Sequence, residues 1–141
     1  MVYAKPPTIV SGEQEIIGYT PGEPDPKGES GNVVSADQLE VSWTGDIEGV
    51  ARYTGILMTH NLPSFAVNIH EKIHFDSVEV LGMSGSLTLQ VSANLARGQD
   101  VFRWTIIDGT AELANAHGNG IYWLDFTTMT YYYTGQVHFD P

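Results

Sequence analysis

A period of two dominates this chain. Apolar and polar residues alternate over most segments, and no stretch long enough for a globular helix keeps an apolar i, i+3, i+4, i+7 stripe free of glycine or proline. Residues 86–94 show the alternation most plainly, with Leu87, Leu89, Val91 and Ala93 set against Ser86, Thr88, Gln90 and Ser92. The pattern places strands at 8–19, 33–43, 47–58, 64–80, 86–94, 101–107, 121–126 and 129–139, joined mostly by short turns. In the first of these, Ile9, Ile17 and Tyr19 fall at one set of alternate positions. Strands with no helix to cover a sheet face call for an all-β architecture, either a closed antiparallel barrel or a sandwich. Eight strands is also about the number at which a barrel interior is just filled by side chains or holds one small ligand.

Two stretches interrupt the alternation. Residues 109–120, GTAELANAHGNG, open and close with glycine and carry a single apolar anchor, Leu113. They read as a compact turn, with one short helical turn near 110–116, plugging one end of the sheet. Residues 20–32 hold three prolines and three glycines and read as a long flexible loop. The whole of 1–141 is expected to be one domain.

Composition removes several classes of function. The formal net charge is -11, from 17 acids against 6 bases, so a nucleic acid or an anionic membrane would repel the surface. The absence of cysteine removes disulfides, thiolate metal sites and cysteine nucleophiles together. No apolar run approaches the ~20 residues of a membrane helix. The opening MVYAKPPTIV lacks a signal-peptide core, so a cytoplasmic location is expected. There is no Gly-x-Ser-x-Gly, phosphate loop or dinucleotide fingerprint, so no cofactor is expected.

Glu71 is the most informative polar residue. Phe65, Val67, Ile69, Glu71, Ile73 and Phe75 share one face of their strand, and Ala66, Asn68, His70, Lys72 and His74 share the other. If the apolar face lines the interior, Glu71 points inward and must be paired, hydrogen-bonded or protonated. One reading is a cavity acid or base, the single catalytic candidate; the other is a structural partner of Arg52 or of a tyrosine. Trp43, Tyr53, Phe65, Phe75, Phe102, Trp104 and Phe139 also fall at apolar alternate positions. They are either a packed core or the walls of an apolar pocket, in which Trp43, Tyr53, Phe75, Phe102 and Trp104 would contact a ligand.

The histidines His60, His70, His74, His117 and His138 suggest no metal site. His70 and His74 share a face but lie ~13 Å apart along a strand, and a site would need a cross-strand partner such as His138. In the run 131–133, Tyr132 faces away from its two neighbours, which suits a subunit contact.

Four motifs together carry a resemblance: WTGDIEG at 43–49, GMSGSL at 82–87, GTAELANAHG at 109–118 and YTGQVHFDP at 133–141. They resemble bacterial domains of unknown function in the allene oxide cyclase-like, calycin-like barrel group. Ala111 stands where that group usually has glycine, and His117 where a basic residue is common. The resemblance implies an eight-stranded antiparallel closed barrel and frequent oligomerisation. The plant cyclases of the group close a ring on a reactive fatty-acid epoxide and place a glutamate inside their barrel, which adds weight to Glu71. Two functions follow as expectations. The protein binds, isomerises or cyclises a small hydrophobic ligand in the barrel; alternatively, it is a non-catalytic packed barrel that acts through self-association or protein contact.

Overall fold

The structure, a computed structural model, describes residues 7–20, 25–27, 32–59, 67–95 and 101–140. Its strands are β1 (Thr8–Thr20), β2 (Asp25–Lys27), β3 (Asn32–Gly45), β4 (Ile47–Thr59), β5 (Val67–Val80), β6 (Met83–Leu95), β7 (Val101–Gly109), β8 (Ala116–Asp125) and β9 (Thr130–Phe139). They run in the order β1-β9-β8-β7-β6-β5-β4-β3-β2, and β1 also pairs with β3. That extra pairing, from Gly12↔Gly45 to Thr20↔Gln38, closes eight antiparallel strands into a barrel and leaves β2 outside the ring. The expected eight-stranded barrel is therefore present. Among the described residues the helical content is one 3-10 turn, Ala111–Leu113, and no helix is long and apolar enough to cross a membrane.

The alternation does what its period implies. Leu87, Leu89 and Val91 are buried on β6, and Ile69, Ile73 and Phe75 on β5. A bulge between Phe75 and Val78 shifts the parity of β5, so Val78 and Val80 return to the interior. At the turn that follows, Leu81 and Gly82 both take positive φ, 51° and 82°. This is the two-residue hairpin geometry that matches strand twist.

Several boundaries differ from those read off the sequence. Three apolar residues of β1, Ile9, Ile17 and Tyr19, face water, while Val10 and Gln14 are buried. A register shift between Ile16 and Gly18 bends the strand at the barrel seam. The stretch 109–120 is not all turn: β8 already begins at Ala116, and Gly118 and Gly120 are strand positions. Phe126 and Met129 belong to the turn between β8 and β9, where Met129 has φ 57°. Asp25–Lys27 within the proline-rich stretch pairs with Asn32–Val34 as a strand; the remainder of that stretch at 21–24 and 28–31 lies outside the described residues, as do Phe65 and His60.

The 3-10 turn caps one end. Leu113 is fully buried, the Thr110 amide donates to the Ser86 carbonyl at 3.1 Å, and the Ser86 amide donates to Thr110 Oγ1 at 3.1 Å. Ala111 holds φ 54°, a left-handed conformation that favours glycine. Ala111→Gly is expected to stabilise the protein by about 0.5–1 kcal/mol, read as a rise in the urea midpoint. An unchanged or lower midpoint would contradict the left-handed assignment.

Candidate functional site

An aromatic cluster centred on Trp43 lies within the barrel. Its ring meets Phe75 (5.5 Å), Trp104 (6.4 Å) and Tyr122 (6.4 Å) edge-on, and lies 4.5 Å from Tyr133. Trp43, Phe75 and Trp104 are all fully buried. The Tyr133 hydroxyl accepts from the Ile47 amide at 2.9 Å and lies 2.7 Å from the Thr44 carbonyl, tying β9 to the β3–β4 corner. Val80, Leu87, Leu89, Ile106, Leu113 and Val137 are buried in the same core.

Toward the other end the described residues leave a space. A cavity of about 100 Å³ is bounded by Ile16, Leu39, Val41, Ile69 and Phe102, together with four polar side chains, Gln14, Tyr53, Glu71 and Tyr122, and with Tyr131. It is smaller than the roughly 300–1,000 Å³ of drug-sized sites. Two larger depressions, about 430 and 530 Å³, are lined largely by outward-facing residues of β1, β3 and β4. In the first of them Arg52 and His74 already pair with Asp76, each at 3.0 Å. The inward cavity is where unused polar capacity converges, and it is the candidate site.

Its hydrogen bonds have a definite direction. Trp43 Nε1 donates to Tyr53 Oη at 2.7 Å, so the Tyr53 hydrogen is free to point at Gln14 Oε1, 3.4 Å away. Gln14 sits in register between Trp43 of β3 and Tyr131 of β9. It is only 4% exposed, and its Nε2 has no hydrogen-bond partner. Opposite, Tyr122 Oη donates to Glu71 Oε2 at 3.4 Å, and the Tyr122 ring stacks on Phe102 at 4.6 Å. Burial pushes the Tyr53 and Tyr122 phenols well above their usual value, and the nearby Glu71 charge adds to the rise. Both therefore stay protonated donors at neutral pH. Burial likewise raises Tyr133 to about 12.

Of the sequence-derived candidates, Glu71, Tyr53 and Phe102 meet at the cavity. Trp43, Phe75 and Trp104 are fully buried in the core. Arg52 does not reach Glu71; it is on the outer wall with Asp76, and the tyrosine alternative is the contact observed. The alternation did not single out Gln14, Tyr122 and Tyr131.

The histidines are placed elsewhere. His117 pairs across β8–β9 with His138, rings 5.2 Å apart, and contacts Asp140 at 2.6 Å. His74 Nδ1 lies 2.9 Å from Thr88 Oγ1. Among the described residues no three histidine or carboxylate side chains are grouped to hold a metal ion.

Comparison with known proteins agrees with the fold. A solved structure of a protein with unknown function from the DUF3224 family of Shewanella oneidensis MR-1 superposes with a TM-score of 0.81. The match covers 96% of this chain and 99% of that one at 18% identity, a level that speaks for the fold. No curated protein matches. The model of the family described as protein of unknown function (DUF3224) matches residues 11–134, nearly the whole barrel, and the chain belongs to that family.

Proposed function

We propose that the protein binds a small, mostly apolar molecule in the inward cavity of its barrel, with Gln14 and Glu71 orienting it. The observation that carries this reading is Gln14 Nε2, buried at the cavity wall without a partner. An unsatisfied buried donor costs about 1–3 kcal/mol, a cost that a bound acceptor would remove. The apolar walls supply affinity and the few polar groups supply orientation, the usual division in ligand cavities. In this reading Glu71 is also the group placed to exchange a proton with the ligand, and Tyr53 and Phe102 flank it. Kinship with the allene oxide cyclase-like barrels is part of the proposal, supported by the barrel and by the inward Glu71.

Ligand-observed saturation-transfer NMR with benzene and cyclopentanone, which are of the cavity's size, tests it. Transfer from the protein to these compounds, as the sign of uptake, is expected. Ile69→Phe, which drives a ring into the cavity from a buried wall position, is expected to abolish uptake while the protein still melts cooperatively. Undiminished uptake by that variant, or none by the parent, would overturn the reading.

One observation favours association as a second role. Val101, Trp123 and Tyr132 sit side by side in register on the outer face of β7, β8 and β9, and the Trp123 and Tyr132 rings are 6.2 Å apart. Such a row suits a contact between copies of the chain, and light scattering on Trp123→Ser against the parent would detect its loss.

A further inference from the structure

The outer row formed by Val101, Trp123 and Tyr132 has flanks of opposite charge. Tyr132 of β9 pairs in register with Glu13 of β1, so the row runs Val101, Trp123, Tyr132, Glu13 across four neighbouring strands. The adjacent row runs Arg103, Ile121, Thr134, Ser11. Ile121, Trp123 and Tyr132 are half-buried, whereas Arg103 and Glu13 are exposed. The face therefore has an apolar centre on β8 and β9, a base on its β7 flank and an acid on its β1 flank. Glu15, also exposed, follows two residues further along β1.

This asymmetry decides how a second copy would sit on the face. A twofold dimer presents the same patch from both sides, and two sheet faces pack best with their strands nearly aligned. A twofold axis running across the strands would lay β7 on β7 and β1 on β1, setting Arg103 near Arg103 and Glu13 near Glu13. An axis running along the strands, between β8 and β9, lays each β7 over the partner's β1. Each Trp123 then meets the partner's Tyr132, and each Arg103 meets the partner's Glu13 one row away. That offset is about 7 Å along a strand, within the span of two long side chains. A chain of net charge -11 repels its own copies at long range, so the packing that pairs opposite charges is the one favoured.

We infer that the protein forms a twofold dimer through the outer face of β7, β8, β9 and β1, in which Arg103 of each copy pairs with Glu13 of the other. The inference rests on the association reading above and adds the orientation of the two copies and the charges that fix it. Four strands by six residues offer roughly 400 Å² of sheet per copy. That is about half the area of a standard interface, so the dimer is a weak, reversible one with a dissociation constant on the order of 10–100 μM.

Sedimentation velocity of the full chain across about 10–500 μM tests it. The parent is expected to pass from monomer toward dimer over that range. Arg103→Glu and Glu13→Arg, each at an exposed position, are each expected to weaken the dimer about tenfold, because each turns both cross-contacts into like-charge pairs. An equal mixture of the two variants is expected to regain the parent's affinity, since every contact between unlike copies again joins an acid to a base. Should either exchange fail to fold, Arg103→Gln and Glu13→Gln take their place. The double Gln variant is then expected to be no weaker than either single one, the coupling of two residues in contact. A parent that stays monomeric throughout, or a dimer unaffected by Trp123→Ser, would overturn both the association reading and this arrangement. A dimer lost in Trp123→Ser but not regained in the mixture, or additive losses in the Gln variants, would overturn the arrangement and leave the association reading standing.

Discussion

Gly135→Ala is expected to cost the barrel about 3 kcal/mol or more. Gly135 of β9 pairs in register with Gly120 of β8 and with Val10 of β1, on the inward face. The six-membered ring of Trp104 lies in the saddle formed by the two glycines. A Cβ at either position would come 2.5 Å from Trp104 Cζ2, and one at Gly135 would also come 2.9 Å from the Gly120 Cα. Contact between carbon atoms is favourable near 3.5–4.0 Å, so something must move. Trp104 has little room to do so: it is fully buried, its Nε1 donates to the Ile121 carbonyl at 3.3 Å, and Trp43 packs edge-on behind it. Overpacking a filled core costs typically 1–3 kcal/mol, and the involvement of backbone as well as side chain puts this site at the upper end. Urea unfolding of the two proteins gives the number. A double-mutant cycle with Trp104→Phe separates the ring clash from the backbone clash, since contacting residues couple. A cost below about 1 kcal/mol, with no coupling, would mean that the indole does not rest on these glycines.

The same glycines show where the sequence stops being legible. Gly118 and Gly120 look like the exit of a turn, because glycine is the usual turn residue. Nothing local says that Gly120 of one strand and Gly135 of the next must both be bare so that the indole of Trp104 can lie across them. Alternation is read easily and reports a face, which is why Ile69, Ile73 and Phe75 place Glu71 inward correctly. It does not report depth along the barrel. Trp43 and Tyr53 both read as inward, yet one lies in the core away from the cavity lining and the other at the cavity wall.

Gln14 was the least accessible to such reasoning. Between Glu13 and Glu15 it looks like part of a solvated run, whereas closure of β1 onto β3 and β9 turns it inward beside Trp43 and Tyr131. Its burial follows from a pairing between residues far apart in the chain, which no local pattern contains. Tyr122 was missed for a related reason: in the run Ile121-Tyr122-Trp123 every side chain is large and apolar enough to be inside. Only the pairing of Tyr122 with Phe102 and Tyr133 shows which one is.

Leu113→Ala is expected to cost on the order of 3 kcal/mol, and the reason is the rigidity of what surrounds Leu113. The side chain is fully buried at the closed end. The turn that carries it is fastened to β6 at two points, through the Thr110 and Ser86 hydroxyls 2.7 Å apart and through Glu112 Oε1, which accepts from the Ser84 amide at 3.2 Å. It is fastened to the end of β9 at a third point, where the Asp140 amide donates to the Asn115 carbonyl at 3.0 Å. A turn held at three points cannot settle into the space left by the missing isobutyl group, so the cavity term adds to the lost transfer energy instead of relaxing away. Leu113→Met, which keeps the volume, should cost less than about 1.5 kcal/mol. The contrast between the two substitutions is therefore the informative quantity, measured as urea midpoints at a common slope. A loss below about half a kcal/mol for Leu113→Ala would mean that the turn is a surface feature, and that the barrel is closed at this end by something other than Leu113.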